Sequence, residues 1–353
     1  MKKGILLGLL MLLVLVLAVG CGQPAEEPPD SNQEQPTEQT EQPKEKDKEP
    51  VELVAEYVGS ETCASCHADI AGSWAETLHT KMVQDANDAI MIGDFDKEGN
   101  PLETTGLSKD DIKFTIGSKW KQRYVTEQDG DLKILPQQWI VKTEEWTDYH
   151  ADEWEDRVYE DKCIRCHTTG YNPQTEEFVE NGVGCEACHG PASLHVENPA
   201  KVKPVNVAEL SAERQVDVCG SCHVRGKNAD GKRDDALGFM PGDNLADHYD
   251  WLVPKGEDEK RFYENGDSKS HHQQFNDFIQ SKHYEAGLSC ITCHDPHSQG
   301  AAAGQLKDTP ENLCFSCHSE DDLGKPFDLS KYMPKRAKSA TPGDITTHTF
   351  RKP

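Results

Sequence analysis

The stretch Cys163–His195 reads CIRCHTTGYNPQTEEFVENGVGCEACHGPASLH. It contains the pattern Cys-x-x-Cys-His twice, and the Gly170, Asn172 and Pro173 cluster between the two copies indicates a turn. The pattern occurs six times in the 353 residues. In chain order we number the copies motif 1 to motif 6: Cys63/Cys66/His67, Cys163/Cys166/His167, Cys185/Cys188/His189, Cys219/Cys222/His223, Cys290/Cys293/His294 and Cys314/Cys317/His318.

Each motif has the spacing of a c-type haem attachment site. Its two thiols can bond the two vinyl groups on one edge of a porphyrin, and the histidine that follows lies beneath the iron as its proximal ligand. Zinc ribbons and disulfide pairs are the alternatives. Zinc needs four ligands per site and has no use for a histidine directly after the second cysteine, whereas every copy here has that histidine. The sequence therefore predicts six covalent c-type haems.

The composition is polar for a chain of this length. Hydrophobic residues make up 35% and charged residues 28% of the sequence. Side chains alone would hardly build a large core from this composition, but each porphyrin adds a broad apolar surface. We therefore expect a fold organised around the haems, with mainly short α-helices, irregular loops and a small β-rich insertion.

Three stretches give the chain a family resemblance. They are YVGSETCASCH with Trp74 and His79 after it, GVGCEACHGPASLH in the middle, and HHQQFNDFIQSKHYEAGLSCITCHDPHS, which starts at His271. The chain resembles the multihaem c-type cytochromes of the cytochrome c554-like superfamily over most of residues 57–317. The resemblance implies electron transfer and does not imply a particular partner.

Changes in composition along the chain predict where its domain and its tail begin and end. We expect a hexahaem domain over 57–324 and a peripheral C-terminal tail over 325–353. Within the domain, alternating residues on both sides of Asp129-Gly130 predict a β-hairpin and a β-rich insertion over 110–145. Helices are predicted over about 70–82 and 273–284, and before Cys219 with Ser211 as N-cap.

The N-terminus has the features of an export signal. Met1, Lys2 and Lys3 precede an apolar run from Gly4 to Val19, and the thirteenth cysteine, Cys21, follows directly. Residues 1–20 are predicted to be a lipoprotein-type signal peptide, with Cys21 lipidated, although Leu17 lies one place too early for the usual lipoprotein pattern. Cleavage by the ordinary secretory route and an uncleaved anchor are the alternatives, and all three export the chain. Residues 21–56, rich in Pro, Glu and Gln, are predicted to be a disordered tether.

Nine histidines remain as candidates for the distal iron ligands. His297 and His195 follow their own motifs too closely to reach round to the opposite face, so each is expected to ligate a neighbouring haem. The resemblance favours His79, His150 and His283. Between the adjacent His271 and His272, which point about 100° apart on a helix, His272 is favoured. The predicted distal set is therefore His79, His150, His195, His272, His283 and His297, which leaves out His248 and His348.

Six bis-histidine irons would carry electrons without binding substrate, so the predicted function is electron transfer in anaerobic respiration or extracellular electron transfer. One alternative is a haem enzyme of nitrogen-oxide or hydroxylamine type with one open iron. His248 or the spare member of His271 and His272 would then be its acid–base group. Another alternative is an extracellular filament in which His348 of one chain ligates a haem of the next.

The formal net charge of -26 bears on the partners of the chain. So acidic a surface disfavours nucleic acid and anionic partners and is compatible with cationic redox proteins or oxidised metal surfaces. The predicted location is the cell surface or the periplasm, with a lipid anchor in the membrane. A homo-oligomer or a filament of the chain is a further expected kind of assembly.

Overall fold

The computed structural model describes residues 54–227, 236–249 and 259–351, which fall in one contact unit, Leu53–Pro353. Cys21, the signal peptide and most of the tether lie outside the described residues. No helix within these ranges is long and apolar enough to cross a membrane.

The helices are short. Isolated helices of four to nine residues are unstable in water, so each depends on packing with other segments. In the described ranges they are α1 Ser60–Ala64, α2 Ala68–Ala75, α3 Pro101–Thr105, α4 Tyr159–Lys162, α5 Ile164–His167, α6 Cys185–His189, α7 Ser193–Glu197, α8 Ala212–Gly220, α9 Gln274–Phe278, α10 Lys282–Glu285, α11 Cys290–Cys293, α12 Pro310–Phe315 and α13 Glu320–Leu323.

The main sheet is antiparallel and has six strands. These are β1 Val83–Asp85, β2 Ile112–Ile116, β3 Lys121–Gln128, β4 Asp131–Ile134, β5 Gln137–Ile140 and β6 Glu145–Asp148. The order is β1-β2-β3-β5-β6, and β4 also pairs with β3. The predicted hairpin is confirmed, because Asp129 and Gly130 form a two-residue turn with φ of 55° and 90° between β3 and β4. The sheet extends beyond the expected 110–145 at both ends.

Two pairs of short strands lie outside this sheet. Strands β7 Thr168–Thr169 and β8 Glu180–Asn181 join the segments around motif 2 and motif 3. Strands β9 Lys335–Ala337 and β10 Ile345–Thr346 form a hairpin near the C-terminus. The C-terminal segment, expected to be peripheral, is instead packed into the protein, since Thr347 and Thr349 are buried.

Aromatic residues of the sheet pack on one another and on Phe95, which lies between β1 and α3. Phe95, Tyr124 and Trp146 have ring centroids 5.0–5.6 Å apart, and Trp139 lies 5.3 Å from Trp146. With Ile112 and Leu135 they make one buried cluster. A second cluster, with Val125, Ile134, Tyr159 and Ile164, joins the sheet to motif 2.

Two predicted helices are shorter than expected. The helix placed over 70–82 ends at Ala75, and the chain then turns so that the His79 carbonyl accepts the Val183 N–H at 3.0 Å. The helix placed over 273–284 is divided into α9 and α10. Ser281 has extended φ/ψ angles and caps α10 by accepting the Tyr284 N–H at 3.1 Å. The predicted Ser211 cap of α8 is confirmed.

A buried carboxylate joins motif 1 to motif 3. Glu186, within motif 3, is 1% exposed. It accepts backbone N–H bonds from Val58, Gly59 and Ala192 at 2.8–3.1 Å. Hydrogen bonds to an ionised acceptor are stronger than neutral ones, so this side chain fixes the approach of the chain to motif 1.

We expect Glu186→Ala to lower the free energy of unfolding by about 2–3 kcal/mol, because three buried or partly buried backbone N–H groups lose their acceptor. Guanidinium unfolding followed by circular dichroism measures the change. Glu197→Ala, at an exposed position in α7, is the matched control and should leave the midpoint unchanged. Equal midpoints for the two variants would contradict this role of Glu186.

Candidate haem sites

A single turn of helix brings the reactive groups of each motif together. In motifs 1, 4, 5 and 6 the histidine N–H donates to the carbonyl of the first cysteine at 3.0 Å. In motif 3 the whole Cys185–His189 segment is helical. Residues three and four positions apart on a helix lie on one face. The two thiols and the imidazole can therefore address one porphyrin.

The thiols themselves are available for attachment. All twelve motif cysteines are free of disulfide bonds. Nowhere in the described ranges are three or more His, Cys, Asp or Glu side chains arranged to hold a metal ion by themselves. This arrangement does not favour the zinc and disulfide alternatives, whereas it fits haem c, which needs two thiols and one histidine from each motif.

Cysteines of different motifs also lie close together. Side-chain contacts join motif 1 to motif 3, motif 2 to motif 4 and motif 4 to motif 5, through Cys63 with Cys185, Cys166 with Cys222, and Cys219 with Cys290. Weaker electrostatic interactions join motif 3 to motif 4 and motif 5 to motif 6. The motifs therefore form a continuous series, 1-3-4-5-6, and motif 2 branches from motif 4.

Two of the predicted haem-binding cysteines are less enclosed than the others. These are Cys66 and Cys317. Both are exposed, whereas the other ten motif cysteines are partly buried.

Motifs 1 and 6, which contain these two cysteines, are the two ends of the series 1-3-4-5-6. The sulfur of Cys66 is contacted by the Ser65 hydroxyl, and that of Cys317 by the Ser316 hydroxyl, each at 3.7 Å. A thioether bond needs access to the porphyrin edge and does not need burial in protein, so haem binding by Cys66 and Cys317 stays a prediction.

Five proximal histidines each face a histidine from another part of the chain. The ring centroids are 6.4 Å apart for His67 and His195, 6.5 Å for His223 and His79, 5.9 Å for His189 and His297, 6.2 Å for His294 and His348, and 5.9 Å for His318 and His283. The interplanar angles range from 12° to 88°, so the spacing is common to the pairs and the ring orientation is not.

This spacing has a simple chemical meaning. Metal–imidazole bonds of about 2.0–2.1 Å on opposite sides of one ion put the two nitrogens about 4 Å apart. Adding the distance from each nitrogen to its ring centre gives roughly 6 Å between centroids, which is the separation observed in all five pairs. The residues present therefore fit haem iron, whose axial positions are commonly filled by histidine.

Hydrogen bonds leave the Nε2 atom of several of these rings free. Nδ1 of His189, His195 and His294 lies 2.7–2.8 Å from the carbonyl oxygens of Val205, Val202 and Gly304. Nδ1 of His348 lies 3.2 Å from the Thr346 carbonyl, and Nδ1 of His223 lies 3.1 Å from Oε1 of Gln274. A histidine that donates from Nδ1 in this way presents Nε2 to a metal.

Burial keeps these imidazoles in the form that binds metal. It lowers the pKa of His79 and of His348 to about 4, with smaller contributions from neighbouring histidines. The pKa values of His283, His294 and His297 are also lowered, in each case chiefly by burial. Neutral imidazole is the ligand form, so these rings need not lose a proton near neutral pH.

Two other histidines lie outside this arrangement. His150, in the predicted distal set, has φ of 56° and a half-exposed side chain whose Nδ1 lies 2.8 Å from Oε1 of Glu153. His248 contacts the Leu237 carbonyl and the Asp243 carboxylate. His348 was left out of the predicted set, and the structure places it opposite His294. The only sign in the sequence that His348 could replace His150 is that nine histidines are available for six distal positions.

Motif 2 differs from the other five. Within the described residues, the His167 ring has no facing imidazole at comparable distance, and its buried Nδ1 has no hydrogen-bond partner. His271 and His272 interact with it electrostatically and contact each other, with centroids 4.5 Å apart. Burial, and then the charges of Lys121 and Arg123 on β3, hold the pKa of His271 well below its ordinary value.

Comparisons with known proteins agree with these features. The family described as cytochrome c554 and c-prime matches residues 136–190, and the doubled CXXCH motif matches residues 283–323. The multiheme cytochrome MtrA of Shewanella baltica (strain OS185) is 28% identical over 180 residues, which cover 45% of this chain and 53% of MtrA. Cytochrome c-554 of Nitrosomonas europaea is 23% identical over 143 residues, 39% of either chain. The chain thus spans about half or less of the length of these curated relatives.

A solved structure shows the same fold. The outer cell wall cytochrome OcwA superposes with a TM-score of 0.69 at 23% identity, over 84% of this chain and 79% of OcwA. The motifs, the facing histidines and these similarities lead to one conclusion: the chain is a multihaem c-type cytochrome that resembles the cytochrome c554-like superfamily.

Proposed function

We propose that the chain is an exported, membrane-tethered hexahaem cytochrome that carries electrons between redox partners. The observation that carries this proposal is the set of five facing histidine pairs, because an iron ligated on both sides has no position left for substrate. Haem, when bound, supplies the one-electron chemistry. The protein residues attach it, ligate it and set its surroundings.

The proposed ligand set follows from the pairs. His67, His223, His189, His294 and His318 are the proximal ligands, and they are opposed by His195, His79, His297, His348 and His283. Four of these five opposing histidines, all except His348, are distal ligands predicted from the sequence. His348 replaces the predicted His150. For motif 2, with His167 as proximal ligand, His272 remains the proposed distal ligand and His271 its alternative.

The series of motifs supports transfer along the length of the molecule. The series runs 1-3-4-5-6, so motifs 1 and 6 lie at its two ends. Motifs 1 and 6 are the proposed places of exchange with partners, and the inner motifs connect them. The proposed partners are redox proteins or extracellular metal acceptors, in keeping with the acidic composition.

The proposed location is the outer face of a membrane. It rests on the apolar N-terminal run and Cys21, both outside the described residues, and on the similarity to a cytochrome of an outer cell wall. A lipid on Cys21 and the polar tether would hold the haem domain away from the membrane surface.

A second candidate function rests on motif 2. The absence of a facing ring at His167 favours an iron whose second side is open, as in a haem enzyme of nitrogen-oxide or hydroxylamine type. Lys121, Arg123 and His271 would then supply charge and protons beside it, and burial lowers the pKa of Lys121 to about 7. The filament alternative has less support, since His348 already faces His294 within its own chain.

We expect mass spectrometry of the purified, denatured protein to find six covalent haems. Cys290→Ala/Cys293→Ala should remove one haem, because motif 5 then has no thiol to form the bonds. Cys21→Ala is the matched control. It should keep six haems and move the protein from the membrane fraction to the soluble fraction. A chain with fewer than six haems before any substitution would refute the hexahaem proposal.

The ligand at motif 2 can be decided with carbon monoxide. In the reduced protein, His272→Ala should create one site per chain that binds carbon monoxide, and His271→Ala should create none. The absorbance change at saturation gives the number of sites. If the unsubstituted protein already binds one equivalent and His272→Ala adds none, the second candidate function replaces the closed iron at motif 2.

A further inference from the structure

The C-terminal segment 335–351 is held by two buried carboxylates. Asp277 is 3% exposed and accepts the backbone N–H of His348 at 3.0 Å. Asp267, also 3% exposed, accepts from the Thr349 hydroxyl at 3.0 Å and from the Arg351 guanidinium at 3.1 Å. Both carboxylates precede motif 5, so the segment is fixed to the part of the chain that leads into that motif.

Further contacts hold the beginning of the same segment. The Arg336 guanidinium lies 3.4 Å from the other oxygen of Asp267, and the Lys338 N–H donates to the Lys269 carbonyl at 2.9 Å. In the β9–β10 hairpin, Ala337 pairs with Ile345 and both are buried. The segment therefore has a defined course on the protein before it reaches His348.

These anchors determine where His348 lies. Its backbone is bound to Asp277, and its Nδ1 is 3.2 Å from the Thr346 carbonyl. The ring then faces His294 of motif 5 at 6.2 Å with an interplanar angle of 27°. Thr347 and Thr349, on either side, point into the protein and are buried. Each of these contacts belongs to the folded chain itself and needs no second molecule.

The same segment reaches a second pair of histidines. The Phe350 ring lies edge-on to His283, with centroids 4.5 Å apart, and also contacts Phe278 at 6.2 Å. His283 faces His318 of motif 6. Nδ1 of His283 is buried without a hydrogen-bond partner. Packing by Phe350 therefore restrains the His283 ring, whose Nδ1 has no hydrogen bond to hold it.

We propose that residues 335–351 form a ligand strap, in which His348 is the iron ligand opposite His294 and Phe350 holds His283 in line with His318. The proposal rests on the proposed haem sites at motifs 5 and 6. His348 is the metal ligand, and Asp277 and Phe350 are positioning residues. One terminal segment thus controls the coordination of the last two irons in the series.

The test uses full-length, haem-loaded protein whose haem count has first been measured, so that a missing haem is separated from a missing ligand. His348→Ala should convert one haem per chain to high-spin in the oxidised protein and bind one carbon monoxide per chain when reduced. Added imidazole should restore the low-spin state. His150→Ala is the matched control and should leave every haem as it was.

A second substitution keeps the proposal testable if His348→Ala does not fold. His348→Met provides a weaker axial ligand, so one haem should stay low-spin while its midpoint potential rises. If the strap only packed on the protein, His348→Met would change neither the midpoint potential nor the spin state of any haem. Unchanged midpoint potentials and spin states in His348→Met would by themselves overturn the assignment of His348.

The role of Phe350 has its own readout. Phe350→Ala should retain six haems and loosen His283, so that carbon monoxide binds at motif 6 to a greater extent than in the unsubstituted protein. Phe95→Ala is the comparison, because Phe95 packs on Tyr124 and Trp146 beside the main sheet. Equal carbon monoxide binding by the two variants would overturn the positioning role of Phe350.

Discussion

In the proposed haem sites two histidines bind each iron from opposite sides, and this requirement would constrain the course of the chain. A proximal histidine can come from the attachment motif, but its opposite partner cannot follow directly in the chain, because it must reach round a porphyrin. The partner therefore comes from a distant segment. His195 faces His67, and His79 faces His223, at centroid distances of 6.4 and 6.5 Å. Each pair ties together two parts of the chain that are far apart in sequence.

These long-range histidine pairs account for how a chain with so little regular secondary structure can keep a defined fold. A chain with 35% hydrophobic residues, whose helices in the described ranges have at most nine residues, has few ordinary means of stabilisation. Polar contacts also join segments near the motifs, as Glu186 does between motif 3 and the approach to motif 1. The buried Asp267 and Asp277 do the same between the C-terminal segment and the approach to motif 5.

Local features of the fold could be predicted from the sequence because their causes are local. The Cys-x-x-Cys-His spacing defines a helical turn, and Asp129-Gly130 defines a tight hairpin turn, whatever the rest of the chain does. The distal ligands are different. A distal histidine has no motif around it, and its role depends on which segments meet. His150 and His348 look alike in sequence, yet one is half-exposed beside Glu153 and the other is held against His294.

The same reasoning explains why the order of the motifs could not be deduced from the sequence. Motifs 2 and 3 are close in sequence, but the contacts join Cys63 to Cys185 and Cys166 to Cys222. Long-range packing, through the sheet against motif 2 and through α8 against α9 and α11, determines this order. It also leaves His167 as the proximal histidine with surroundings unlike the others.

The central claim is that five histidine pairs hold haem iron from both sides. Low-temperature EPR of the oxidised, haem-loaded protein, with the spins quantified against a haem count, tests it most directly. The account predicts that at least five of the six haems are low-spin, with motif 2 the one place where a high-spin signal could arise. Two or more high-spin haems per chain would contradict it, because at least one facing pair would then not ligate its iron.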